Sequence, residues 1–223
     1  MIKKFEKSPW VPYVFPFAIF ILLTGVAQYF PDFSHYFYIS KTVITGWLLW
    51  FWRRKYIADI TQRITLSEFF LSLLAGLLVL VIWIVPEGHL IQIGGADHTG
   101  FNPYSFGWPP IAVACLITVR LTGAAVVVPI MEELFWRSFL LRYVINPDFR
   151  LVALGTFSWA SFLSVVILFG FEHYRVIQGI IAGIIYTLLI IRQKNISGCI
   201  VAHSTTNFGL GIYVLSTKSW IFW

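Results

Sequence analysis

Seven mostly apolar stretches, each close to the length that crosses a bilayer, follow one another at 11–29, 36–52, 67–85, 110–128, 154–171, 176–192 and 199–217. A helix needs about 20 such residues to traverse the hydrocarbon core, and only helices and closed barrels satisfy their backbone there. These runs are too long and continuous for barrel strands. The expected fold is all-α: a polytopic transmembrane helical bundle of seven spans, or eight if a helix breaks near Pro129, around a polar intramembrane cavity. Composition excludes the soluble alternative. Charged residues make up 12% of the 223 positions and hydrophobic residues 58%, whereas a soluble domain carries about a quarter charged residues. No repeat, low-complexity tract or linker divides the chain, so 1–223 reads as a single integral membrane domain.

The net charge of +6 does not point to nucleic acid, because the basic residues punctuate apolar runs rather than forming a patch on a soluble face. With the N-terminus inside, twelve of the sixteen basic residues fall in inner segments: Lys3, Lys4, Lys7, Arg53, Arg54, Lys55, Arg63, Arg137, Arg142, Arg150, Arg192 and Lys194. The segment 86–109 has no Lys or Arg, is rich in Gly and Pro, and suits an external loop under the positive-inside rule. This orientation puts the C-terminus outside and fits a bacterial inner membrane. The Met-Ile-Lys-Lys start resembles a signal peptide, but no small-residue cleavage site follows, so the first run is expected to be a retained span. Cys115 and Cys199 both lie in apolar stretches and offer neither a disulfide framework nor a thiolate metal cluster.

Beyond residue 110 the chain stays apolar yet contains Arg120, Glu132, Glu133, Arg137, Glu172, His173, Arg175 and His203. An ionisable residue inside a membrane costs at least about 2.5 kcal/mol, so such a group marks function by default. The plainer account is that Arg137, Arg142 and Arg175 snorkel to headgroups while the acids pair with them. In 129–144 the proline is expected to open a helix, with both carboxylates near the positive end of its dipole. Glu133 and Arg137 are four apart in the favourable acid-first order, and Glu132, turned by about 100°, is left free to act as a general base. His173 closes a second polar patch one helical turn after Phe169, where an interfacial histidine is the ordinary reading. His203 and Asn207 share a helix face in the third patch, where the asparagine equally suits interhelical glue.

These residues resemble the CPBP (Abi) family of intramembrane proteases, which includes the Rce1-type CAAX prenyl endopeptidases. The family pattern is Glu-Glu-x-x-x-Arg, then Phe-x-x-x-His, then His-x-x-x-Asn. It stands here as Glu132, Glu133 and Arg137; Phe169 and His173; and His203 and Asn207. The likeness spans about 110–217. The earlier spans and WIVPEG at 83–88 are similar to a bacterial CAAX prenyl protease-related subgroup linked to exosortase sorting. Trp136 and Ser138 depart from the Phe and Gly frequent at those positions, and neither is expected to touch the chemistry.

The resemblance implies an intramembrane endopeptidase that hydrolyses a peptide bond of a membrane protein or lipidated peptide. Glu132 with His173 would activate a water, and His203 with Asn207 would face the scissile carbonyl. Glu133 and Arg137 would hold the helix that presents Glu132. A metal-free glutamate mechanism is favoured because no HExxH helix is present and Asn207 suits an oxyanion better than a metal. The metal alternative would place a divalent ion such as zinc on Glu132, His173 and His203. The competing class is a membrane transporter or a peptide-binding immunity protein without protease activity. A transporter with inverted repeats should show polar clusters in both halves, and here they fall only in the second.

One geometric difficulty accompanies this reading. His203 lies about 8 Å into the last span from the inner side, whereas His173 ends a span that finishes outside. The two can meet only if 146–155 stays at the inner surface, the fifth span begins at 157–161, and Gly170 with the EHYR stretch turns back inside.

Overall fold

The computed structural model describes residues 8–90 and 100–223; the expectations for Lys3, Lys4 and Lys7 and for the middle of the 86–109 loop lie outside these. The described residues form seven helices: α1 Val11–Ala27, α2 Ser34–Ile60, α3 Leu66–Ile84, α4 Pro110–Tyr143, α5 Trp159–Glu172, α6 Val176–Gln193 and α7 Ser197–Thr217. The all-helical membrane bundle is thus as expected. Helices α3, α4 and α6 are long and apolar enough by themselves to cross a membrane, while α1 and α5 are shorter apolar helices. Leu74, Leu77, Leu78 and Val81 of α3 and Trp47, Trp50 and Phe51 of α2 are exposed. Lipid is the solvent that accepts such a surface.

Two helices outrun their apolar stretches. Helix α2 continues through the charged residues 53–59 to Ile60, because a basic run ends a span without ending a helix. Helix α4 runs for 34 residues, about 50 Å at 1.5 Å per residue, well beyond a hydrocarbon core of about 30 Å. The helix expected to open at Pro129 therefore does not start there. Pro129 is interior to α4, which neither breaks nor re-enters. It widens to π-type turns over Gly123–Val127 and Leu134–Leu140, on either side of Val128–Glu133. A proline removes one backbone donor and crowds the preceding turn, and the wider turn before it absorbs both effects.

Side-chain capping fixes the entry of two helices. Thr65 accepts from the Glu68 backbone N–H at 3.3 Å while the Glu68 carboxylate accepts from the Thr65 N–H at 2.7 Å, a reciprocal box that starts α3. Ser158 accepts from the Ser161 N–H at 3.1 Å and starts α5, within the window expected for that span. Residues 146–155 ahead of it form no span and include only the short 3-10 turn Phe149–Leu151.

The helices alternate in direction, as contacts at each end of the bundle show. At one end Arg142 pairs with Asp59 at 3.1 Å, Ser197 donates to the Ile60 carbonyl at 2.6 Å, and Gln193 donates to the Glu68 carbonyl at 3.0 Å. At the other end Arg175 pairs with Glu87 at 2.6 Å, and the Phe101 N–H donates to the Trp223 carbonyl at 2.9 Å. An odd number of helices puts Val11 and Trp223 at opposite ends. Arg137 does not mark the basic end as expected. It is fully buried in the core, because its partner Glu133 is there.

Close approach between helices depends on small residues. Gly170 of α5 meets Gly179 of α6, and Gly183 of α6 meets Phe169 and Val166, so the α5–α6 hairpin packs backbone to backbone. Gly76 of α3 rests on the Ala202 carbonyl and on Thr205 of α7. Gly76→Val is expected to force α3 from α7 and destabilise the bundle by about 1–3 kcal/mol, read as a lowered thermal midpoint in detergent. An unchanged midpoint would contradict this packing.

Candidate active site

Four helices bring the polar residues to one cavity of about 350 Å³. Glu132 comes from α4, Phe169, Glu172 and His173 from α5 and its end, Tyr186 from α6, and His203, Thr206 and Asn207 from α7. All four residues expected to do chemistry, Glu132, His173, His203 and Asn207, line it. Phe169 lines it too, while Glu133 and Arg137 stand behind the wall.

The adjacent carboxylates part as their helical turn requires. Glu133 is completely buried, accepts from Arg137 Nη1 at 3.0 Å, and faces His203 Nδ1 at 2.9 Å with the same oxygen. Arg137 also lies 4.3 Å from the Phe169 ring centre. Glu132 turns to the cavity, where its Oε2 is buried without a hydrogen-bond partner among the described residues and lies 4.0 Å from His203 Nε2. His203 thus stands between both acids, one nitrogen on each. Its ring stacks on Tyr186 at 5.2 Å between centres, and the Tyr186 hydroxyl bonds with Thr206 at 2.7 Å.

His173 reaches this centre without the backbone turn expected at Gly170. Helix α5 stays regular through Glu172, and only 173–175 leave it. The helix is 14 residues long and starts late, and the His173 ring folds back so that Nδ1 lies 2.7 Å from the Phe169 carbonyl. That bond leaves Nε2 to the cavity. Trp83 of α3 meets the ring edge-on at 5.3 Å.

Asn207 fills the interhelical role that its type allows. One of its amide hydrogens goes to the Ala124 carbonyl at 2.8 Å, inside the π-type turn of α4. A widened turn frees carbonyls from their usual partners, and Asn207 satisfies one across the helix interface. Its second N–H is left for the cavity.

Trp136 bonds to an acid of the cavity wall, though not to any of the four residues expected to do chemistry. Its indole N–H donates to Glu172 Oε2 at 2.9 Å, and Glu172 lines the cavity beside Glu132. Phenylalanine could not make that bond. Ser138 is elsewhere, donating to Asp59 at 2.7 Å. Sequence reasoning also passed over Tyr186 and Thr206, whose buried hydroxyls had no spacing signal to separate them from ordinary span residues.

The plainer account of the arginines holds in part. Arg137, Arg142 and Arg175 are paired with Glu133, Asp59 and Glu87, so only one of the three takes a motif acid. Glu132 and Glu172 have no arginine partner among the described residues. Glu132, His173 and His203 share the cavity, yet among the described residues no group of three His, Cys, Asp or Glu is arranged to hold an ion.

Fold and site together define the class: an integral membrane helical protein with a buried Glu/His/Asn centre. Residues 112–209 match the family described as type II CAAX prenyl endopeptidase Rce1-like, and over that segment the chain carries the CAAX-type endopeptidase pattern. Every residue of the centre lies inside the matched range. Neither a curated protein nor a solved structure matches the chain.

Proposed function

We propose that the protein is an intramembrane endopeptidase that cuts a membrane protein or lipidated peptide, with Glu132 as the base that activates water. The observation that carries this reading is the buried Glu132 oxygen left without a hydrogen bond among the described residues, in a cavity shared with His173, His203 and Asn207. Glu132 takes a proton from water as the water oxygen attacks the scissile carbonyl carbon. His173, steadied by the Phe169 carbonyl, helps to hold that water. The negative charge that develops on the carbonyl oxygen meets the free Asn207 N–H and His203 Nε2. As the C–N bond breaks, Glu132 returns the proton to the leaving amine. For His203 to donate from Nε2 while Nδ1 donates to Glu133, both nitrogens must carry protons, and Glu133 supplies the counter-charge. Glu133 then serves the reaction through His203, and Arg137 holds Glu133.

The basic end of the bundle suits the cytoplasmic side of a bacterial inner membrane, with the N-terminus inside. Comparison of the membrane proteome of a deletion strain with that of a Glu132→Ala strain tests the function. The same uncut protein should accumulate in both. Accumulation in the deletion strain alone would favour a transporter or peptide-binding protein, since a binding scaffold keeps its effect without the base.

The metal-free mechanism has its own test. Purified protein treated with a strong chelator is expected to keep its cleavage rate. Loss of activity that returns only with added zinc or cobalt would overturn the glutamate-only reading.

A further inference from the structure

Arg120 lies on α4 twelve residues before Glu132 and lines the same cavity. Its guanidinium carbon is 4.3, 4.2 and 5.2 Å from the ring centres of Tyr38, Phe101 and Trp223. Aromatic faces attract a cation but accept no in-plane hydrogen bond. Among the described residues Arg120 Nε is accordingly buried without a hydrogen-bond partner, and no carboxylate pairs with Arg120. The contrast is Arg175, which also lines the cavity but is held by both oxygens of Glu87 at 2.6 and 2.8 Å. Lys41 adds a second charge. Its ammonium lies 5.0 Å from the Tyr38 ring centre and donates to the Thr24 hydroxyl at 2.9 Å, with no acid in reach among the described residues.

Two cations therefore share the Tyr38 ring, and neither meets an anion among the described residues. A guanidinium in a membrane interior is costly unless it is paired, and its planar fork of N–H groups matches a carboxylate. The rings cover its faces, so its edge is the route left for a partner.

We propose that Arg120, backed by Lys41, binds a carboxylate carried by the substrate and so sets the distance from that carboxylate to the bond cut at Glu132. This rests on the endopeptidase reading and adds a rule of selection to it. Twelve helical residues rise about 18 Å, which an extended peptide covers in about five residues at roughly 3.3 Å each. The carboxylate is either the free C-terminus of the substrate or an Asp or Glu side chain, both with the same chemistry.

The test uses the full-length protein in detergent with a mixed peptide pool in two forms, one with free C-termini and one amidated, and cut positions read by mass spectrometry. Cuts should cluster about five residues from a carboxylate. Amidation should remove the cuts set by the C-terminus and spare those set by Asp or Glu. Arg120→Gln should abolish the clustering and raise KM by about thirtyfold or more with a smaller change in kcat, while Arg120→Lys should retain the spacing. Cuts whose spacing ignores both carboxylates and Arg120 would overturn the proposal. A binding measurement separates it from the endopeptidase reading: Glu132→Gln protein should retain free-acid peptides over amidated ones, and adding Arg120→Gln should erase that preference. If the unaltered protein cuts nothing but this preference persists, the endopeptidase reading fails and the carboxylate site stands. If cutting occurs and the preference is missing, the carboxylate site fails alone.

Discussion

Glu132→Gln should lower peptide cleavage by between about a hundredfold and ten-thousandfold while leaving the fold intact. The amide keeps the size and shape of the carboxylate but cannot take a proton from water. Stability should hold or rise, because Glu132 is 5% exposed and its Oε2 has no hydrogen-bond partner among the described residues. A buried carboxylate in that state is a liability, and a neutral amide relieves it. This combination of lost turnover and an unchanged or raised thermal midpoint separates a base from a structural acid. Cleavage that stays within about threefold of the unaltered protein would remove Glu132 from the chemistry.

Arg137→Met should act in the opposite sense, with its main effect on stability. Arg137 and Glu133 are both completely buried and joined at 3.0 Å. Loss of the cation leaves Glu133 in the core with His203 as its remaining partner among the described residues. Breaking a buried pair from one side costs about 3–5 kcal/mol, and the contact of the guanidinium with Phe169 goes with it. Denaturant titration in detergent would show that loss. The double variant Arg137→Met with Glu133→Gln should recover part of the loss, because no uncompensated charge is then buried. A single variant within about 1 kcal/mol of the unaltered protein would contradict the pair. Activity does not return in the double variant on this account, since Glu133 also serves His203.

The Glu133–Arg137 pair was legible from spacing alone, because residues four apart share a helix face whatever surrounds them. The contact of Glu133 with His203 at 2.9 Å joins residues 70 apart in the chain, and no local periodicity encodes it. The same holds for Trp136 on Glu172, a bond made because the fold brings α4 beside α5. Pro129 lies inside α4 rather than at a helix start for a related reason. Proline in a sequence signals a helix start or a break, and only the neighbouring turns show that α4 widens and continues.

The sequence by itself determined the solvent and the helix count, and it singled out the ionisable residues that the fold gathers at one cavity. Long apolar runs leave helices as the structure that satisfies the backbone in lipid, and in a chain with 12% charge the ionisable residues inside those runs stand out. The tertiary structure decided which of them are paired and which are left over. Pairing depends on distances between helices, set by side-chain shape and by close approaches such as Gly76 on Ala202. It is this packing that satisfies Arg137, Arg142 and Arg175 with acids, turns Glu132 toward an open cavity, and leaves Arg120 against aromatic rings with no acid beside it among the described residues.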